Sequence, residues 1–204
     1  IGNSHADAIK EVLREEALQR GIRLLLMRSN GVAGGSGIPP ERLGQIARAY
    51  GVNYLLLHSR AAPERAGQET SRLARVLAMA EKEGITVLFL EPVPTWDVSI
   101  PQAVYETATV AHAPPLPVQT MATYKKTHSE LMNFIKSVRS PAFVAFSTSQ
   151  ILCKPNCRIV DDEGQLLYHD EHHLTLTGAR YLRGVIRNMF DLVVTDFYTH
   201  HVAK

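Results

Sequence analysis

Short apolar runs alternate along this chain with longer segments that carry apolar residues at helical spacing. The runs, which are typical of buried strands, cover residues 22–27, 52–58, 85–90 and 142–146. The longer segments favour amphipathic helices and cover residues 7–20, 39–50, 64–83, 121–138 and the stretch from Thr177 onward. This alternation predicts an α/β fold with a mainly parallel, doubly wound sheet between two layers of helices, a three-layer α/β/α sandwich.

Length and charge narrow the class of protein further. A chain of 204 residues suits one α/β domain, and a formal net charge of +2 without a dense Lys/Arg block argues against a nucleic-acid partner. No apolar run approaches the roughly 18 to 20 residues of a membrane span, and no signal peptide is recognisable.

The first candidate site is the opening stretch, Ile-Gly-Asn-Ser-His-Ala-Asp. It places Ser4 on a glycine-bearing bend immediately before the first predicted helix. A serine nucleophile needs its hydroxyl clear of the backbone, and a helix N-terminus favours a developing oxyanion. The alternative is that Asn3 or Ser4 only caps the helix, as such residues commonly do.

A second candidate site lies near the other end, where a hairpin predicted over residues 158–168 leads into the stretch His-Asp-Glu-His-His-Leu-Thr. Asp170 and His173 are three positions apart. That spacing lets the carboxylate hold one imidazole nitrogen while the other points at a nucleophile. His172 is the rival base.

Gly-Asn-Ser-His near the start and Asp-x-x-His-Leu near the end together resemble the SGNH (GDSL-like) hydrolases. They are most similar to the extracytoplasmic SGNH domain fused behind membrane acyltransferase-3 proteins that O-acetylate bacterial glycans. The resemblance spans nearly the whole chain. It implies an SGNH/flavodoxin-like fold, a triad of Ser4, His173 and Asp170, and supporting roles for Asn3 and His5.

The oxyanion hole is less well defined by the resemblance. The N–H of Ser4 is one expected donor. The loop at residues 28–37 should supply a glycine N–H as another, and Gly34 and Gly35 are the candidates. The alternative for this loop is that it lies on the surface without a role in the site. The Gly-x-Asn-Asp block expected after the strand at 52–58 is absent. In the acyltransferase-fused branch that strand resembles one that ends in an arginine, and Arg60 matches it. This arginine would stabilise the oxyanion or hold the substrate. The alternative is that Arg60 forms a surface salt bridge.

The resemblance implies an O-acyltransferase that moves an acetyl group onto a bacterial cell-surface glycan through an acyl-enzyme on Ser4. The partners it implies are the glycan acceptor and a fused membrane acyltransferase-3 domain that hands on the acyl group, which places the domain in the periplasm. This chemistry requires no metal and no cofactor. Two alternatives stay open: a glycan O-acetyl esterase, and a non-catalytic glycan-binding module suggested by the missing asparagine block.

Residues 1–204 are accordingly expected to form a single SGNH-type domain. An α/β enzyme normally delivers its nucleophile from the end of a buried strand, whereas this chain opens directly on Ser4. We therefore expect the domain to be the C-terminal part of a longer membrane protein and to lack most of its first strand.

The two cysteines, Cys153 and Cys157, are separated by Lys-Pro-Asn. A disulfide between them suits an oxidising compartment, and the resemblance to periplasmic domains favours the same pairing. The competing interpretation is a zinc site that adds His169, His172 or His173, although one cysteine pair is weak evidence for a metal.

The proline-rich stretch at residues 91–120 is predicted to be an irregular, substrate-facing insertion, since long loops in compact domains are usually functional. Trp96 and Tyr105 within it could stack on a sugar ring. Aromatic residues more often anchor a loop to the core, and we favour that role.

Overall fold

The computed structural model describes residues 1–27, 29, 37–61 and 63–201. Its strands form one parallel sheet, in spatial order β1 (Tyr54–His58), β2 (Thr86–Leu90) and β3 (Phe143–Phe146). In register, Tyr54 lies opposite Thr86, and Val87 lies opposite Phe143. Three of the four apolar runs therefore form the predicted parallel strands.

Helices occupy both the connections and the two ends of the chain. Their bounds are α1 (Ser4–Ala8), α2 (Lys10–Gln19), α3 (Pro40–Tyr50), α4 (Ala66–Lys82), α5 (Ile100–Thr109), α6 (Met121–Thr127), α7 (Ser129–Ser137), α8 (Ser149–Leu152), α9 (Leu176–Tyr181) and α10 (Arg183–His201), with a 3-10 turn at Pro63–Arg65. Among the described residues, no helix combines the length and the apolar character needed to cross a bilayer.

Each face of the sheet is covered by its own apolar cluster. Leu55 and Leu57 of β1, with Val87 and Phe89 of β2, pack against α3, α4 and α7. Leu90 joins the second cluster, which contains the buried faces of α2, α9 and α10. Side chains of a strand alternate between faces, so two helical layers can bury one sheet. The predicted three-layer α/β/α arrangement is confirmed.

A buried carboxylate joins the first helices to the last one. The side chain of Glu16 in α2 is fully buried. Its Oε2 accepts a hydrogen bond from Arg20 at 2.8 Å, and its Oε1 accepts one from Arg183 of α10 at 3.0 Å. Arg20 also pairs with Asp191 of α10 at 2.7 Å. Because removing one partner of a buried pair costs about 3–5 kcal/mol, this network fixes α2 against α10.

The predicted buried strand at residues 22–27 is wrong as stated. These residues form no strand in the described chain, and Leu25 and Leu26 are 45% and 41% exposed. A cavity of about 870 Å³ separates them from β1. Without an adjacent strand, the apolar run has neither a hydrogen-bonding partner along most of its length nor a surface on which to bury its leucines.

The insertion at residues 91–120 is also more regular than predicted, because it contains α5. Pro101 falls in the first turn of that helix, where a proline is favoured, and the fully buried Ile100 anchors its start. The helix predicted over residues 121–138 is divided at His128, which has a non-helical ψ of 19° and separates α6 from α7.

A substitution at Gly178 in α9 can test how tightly this helix packs on the hairpin before it. A Cβ at this position would lie 2.1 Å from the carbonyl oxygen of Leu167. We expect Gly178→Ala to lower the free energy of unfolding by about 1–3 kcal/mol or more, as overpacking does. Gly184→Ala is the matched control, since a Cβ there meets nothing within 4 Å and alanine is the better helix former. Urea unfolding measures both, and equal stabilities would contradict this packing.

Candidate active site

Three side chains from opposite ends of the chain form a continuous hydrogen-bonded row. The Oγ of Ser4 lies 2.5 Å from Nε2 of His173, and Nδ1 of His173 lies 2.6 Å from Oδ2 of Asp170. An ionised carboxylate only accepts hydrogen bonds, so Nδ1 carries the proton and Nε2 is left to accept one from Ser4. The row therefore has the hydrogen-bonding order of a nucleophile, a general base and the group that orients that base.

Local structure places the serine at the exposed end of its helix. Asn3 caps α1, and its Oδ1 accepts a hydrogen bond from the N–H of His5 at 3.0 Å. Ser4 is then the first helical residue, where an N–H has no intrahelical acceptor. Of the two alternatives in the sequence, the capping residue is Asn3, and Ser4 remains available to contact His173.

Gly2 is required for this placement because its backbone runs alongside the end of β1 at very short range. A Cβ on Gly2 would lie 1.8 Å from the carbonyl oxygen of His58. The N–H of Gly2 donates to Met27 at 3.3 Å, and its carbonyl accepts from Ser29 at 2.8 Å. Only glycine lets the backbone approach this closely, so the bend predicted from the sequence is a steric necessity.

The carboxylate is held by the loop that carries it. Oδ1 of Asp170 accepts hydrogen bonds from the N–H groups of His172 and His173 at 2.8 and 2.7 Å. Burial by itself would raise the pKa of Asp170, but these two N–H groups and the His173 ring outweigh it and hold the pKa well below its usual range. Asp170 is thus a fixed negative charge against Nδ1 of His173.

The loop over residues 169–173 is closed at its base and clamped from outside. The N–H of His169 donates to the carbonyl of His173 at 3.0 Å, after a hairpin whose bridge pairs Val160 with Leu166. From the insertion, the backbone N–H of Trp96 donates to the backbone carbonyl of Glu171 at 2.8 Å. This backbone clamp was missed by the sequence analysis, because carbonyl acceptors leave no trace in the residue pattern.

Of the two aromatic residues singled out in the insertion, one anchors it and the other is exposed. The Trp96 side chain is 6% exposed and meets the ring of Tyr168 edge-on, with centroids 5.8 Å apart. The anchoring role that we favoured for Trp96 agrees with this burial. Tyr105 on α5 is 63% exposed.

A layer of histidines lies directly behind the row. The ring centroid of His5, a residue only 2% exposed, is 5.0 Å from that of His173 and 5.2 Å from that of His172. Burial lowers the pKa of His5 to about 2 and that of the neighbouring His58 to about 4. Burial also lowers the pKa of His172. These rings are therefore neutral near pH 7, and they put no positive charge beside the base.

The candidate oxyanion groups are placed only in part. Gly34 and Gly35 lie outside the described residues. Arg60 follows the carboxyl end of β1 with an exposed side chain. Its charge contributes to the lowered pKa of both His5 and His172, which places the guanidinium on the side of the site where these histidines lie.

The two cysteines are joined to each other. Cys153 and Cys157 form a disulfide, so their sulfurs are not available as thiolate ligands for zinc. The loop between them contacts the start of α6, where the N–H of Met121 donates to the carbonyl of Pro155 at 2.8 Å. The bridge thus fixes the junction between the insertion and the core.

Sequence and fold comparisons agree on the kind of domain. The sequence profile of the family described as "SGNH domain (fused to AT3 domains)" matches residues 1–188. No protein of curated function matches the chain in sequence.

Three solved structures share the fold. The lipopolysaccharide acetyltransferase periplasmic domain of Salmonella ser. Paratyphi A is 19% identical, with a TM-score of 0.63 over 93% of this chain and 81% of that one. A carbohydrate esterase family 3 protein from Talaromyces cellulolyticus is 10% identical, with a TM-score of 0.56 over 96% of both chains. A GDSL-like lipase from Bacteroides thetaiotaomicron is 11% identical, with a TM-score of 0.54 over 94% and 86%.

The buried His58 makes stability depend on pH in a direction that can be measured. Its pKa is about 4 in the folded protein and near 6.5 when unfolded, so between these values only the unfolded state is protonated. Stability is therefore complete above the unfolded pKa and falls as the pH drops below it, by up to ~1.4 kcal/mol per pH unit from this group.

We expect His58→Gln to reduce the slope of unfolding free energy against pH between pH 6 and 5 by up to that amount. His169→Gln is the control, because the His169 side chain is 59% exposed. Chemical unfolding at several pH values measures the slope, and an unchanged slope in His58→Gln would show that His58 is not the buried neutral group described.

Proposed function

The chain belongs to the family of SGNH domains fused to AT3 domains, and from that premise we propose that it is an O-acyltransferase domain acting through an acyl-enzyme on Ser4. The observation that carries this proposal is the row formed by Ser4, His173 and Asp170. Its contact of 2.5 Å joins Ser4 to His173, 169 positions away in the sequence, and its contact of 2.6 Å joins His173 to Asp170. A binding module would need no such row, so the geometry favours catalysis over the non-catalytic alternative.

In the first half-reaction, Oγ of Ser4 attacks the carbonyl carbon of the acyl donor while Nε2 of His173 takes the hydroxyl proton. The tetrahedral intermediate collapses as the bond to the donor oxygen or sulfur breaks, and His173 returns the proton to that leaving group. Asp170 stabilises the imidazolium in between. In the second half-reaction, His173 removes a proton from the acceptor hydroxyl, which attacks the acyl carbon and releases Ser4.

Three groups would stabilise the oxyanion. The Ser4 N–H at the start of α1 is the first donor, and Arg60 is the second. We assign a third to the loop with Gly34 and Gly35. A preorganised donor in such a position contributes about 2.7–4 kcal/mol to transition-state stabilisation. Arg60 would also bring a positive charge to the site. The neutral asparagine of the absent block carries no such charge.

Two findings support a transferase with a glycan acceptor. The family is described by its fusion to AT3 domains, and a structure that shares the fold is the periplasmic domain of a lipopolysaccharide acetyltransferase. We therefore propose that an AT3 domain presents an acetyl group to Ser4, that the acceptor is a bacterial cell-surface glycan, and that the site works in the periplasm. The Cys153–Cys157 disulfide suits that oxidising compartment.

An esterase that removes acetyl groups from glycans is the second candidate. It is favoured by the shared fold with a carbohydrate esterase over 96% of both chains. The row would be the same, and water would replace the sugar hydroxyl in the second half-reaction. The side chains of His173 and Asp170 are 18% and 27% exposed, so water has access to the row.

Acylation of Ser4 is the primary test. After brief exposure of the protein to an activated acetyl ester, we expect one acetyl group on Ser4 by intact-mass and peptide spectrometry. Ser4→Ala should remain unmodified, and His173→Ala should acylate on the order of 10⁶-fold more slowly, as expected when the base of a triad is lost. His172→Ala should lose far less than His173→Ala, because His173 is the ring in contact with Ser4.

The same preparation separates the two candidates. A simple sugar added at increasing concentration should convert released acetate into acetylated sugar if the site transfers, whereas an esterase releases acetate alone. A folded protein that shows neither acylation nor ester turnover dependent on Ser4 would remove the catalytic proposal and favour the glycan-binding module.

A further inference from the structure

Three imidazole rings converge beside the nucleophile. One ring nitrogen each from His5, His172 and His173 lies within 4.8 Å of the others. Three nitrogens bound to one zinc ion at 2.0–2.1 Å would be about 3.3 Å apart, so small side-chain rotations bring this set to coordination distance. Imidazole is also the commonest protein ligand for such a metal.

We propose that His5, His172 and Nε2 of His173 form a binding site for zinc or a similar divalent transition metal, and that its occupation switches the enzyme off. The binding site rests on the positions of the rings. The inhibitory effect rests on the proposed function, in which His173 is the base.

Two nitrogens of these rings have unmet hydrogen-bonding capacity. Within the described part of the chain, Nε2 of His5 and Nδ1 of His172 are buried without a hydrogen-bond partner. An unsatisfied buried polar atom destabilises the folded protein. A metal ion that accepted the lone pair of each of these nitrogens would remove that cost, so the apoprotein would be stabilised by binding it.

The charges around the cluster act in both directions. Asp170 and Glu171 approach the His172 ring at 3.7 and 3.5 Å and favour a cation. Arg60 opposes it, since its charge already acts on His5 and His172. A divalent ion held by these rings would therefore be attracted by two carboxylates and repelled by one exposed guanidinium.

The inhibitory effect follows from which nitrogen is occupied. Nε2 of His173 is the atom that accepts the Ser4 proton in the row. Once this nitrogen donates its lone pair to a metal, it can no longer take that proton. Acylation of Ser4 then stops while the fold stays intact.

The test uses untagged protein and two probes, Zn²⁺ by calorimetry and Co²⁺ by the visible absorption of a tetrahedral site. We expect one ion per chain, loss of Ser4 acylation at saturation, and recovery with a chelator. His5→Gln and His172→Gln should each weaken binding by at least the 10- to 100-fold typical of lost outer-shell partners. His169→Gln should bind as the wild type does, because His169 lies outside the cluster.

Several outcomes would overturn the proposal: an octahedral Co²⁺ spectrum, metal binding that does not inhibit acylation, or binding that survives both substitutions. Loss of binding in His169→Gln alone would assign the metal to the exposed group of His169, Asp170 and His173 instead. If His5→Gln does not fold, His172→Gln still decides, since its ring is partly exposed. The Co²⁺ spectrum is independent of activity, so failure of the metal proposal is distinguishable from failure of the catalytic one.

Discussion

The site depends on the contact between the first two helices and the last one. Ser4 lies in α1 and His173 lies three residues before α9, so their 2.5 Å contact joins two segments whose following helices pack together, α2 against α9 and α10. The buried Glu16, paired with Arg20 and Arg183, fixes that packing in direction as well as in distance. An apolar interface alone tolerates sliding, whereas a buried carboxylate must keep both partners to offset its desolvation.

Within this frame, the polar groups of the site are arranged by charge. The carboxylate of Asp170 is held ionised by two backbone N–H groups, whereas His5 and His58 are held neutral by burial. Asp170 is the charged group that is hydrogen-bonded to His173, and its charge stabilises the protonated form of the ring. In the proposed reaction these groups would be in place before the substrate arrives, so proton transfer would need little reorganisation.

The sequence predicted the elements best where local pattern and burial agree. The runs at 52–58, 85–90 and 142–146 became β1, β2 and β3, because each lies between helices that cover both faces. The run at 22–27 is also apolar but lacks a neighbouring strand in the described chain, so it forms no strand and stays partly exposed. The clamp from Trp96 to Glu171 was not predictable, since it joins backbone groups.

By itself, the sequence determined the α/β class, the family resemblance and the three residues of the row, because periodicity and motif spacing are local properties of the chain. Tertiary structure alone decided that Asn3 caps α1 and that His5 and His172 meet behind His173. It also decided that position 2 must be a glycine, because a Cβ there would lie 1.8 Å from the carbonyl oxygen of His58. These are contacts between distant segments, and their distances follow from how the helical layers pack on the sheet.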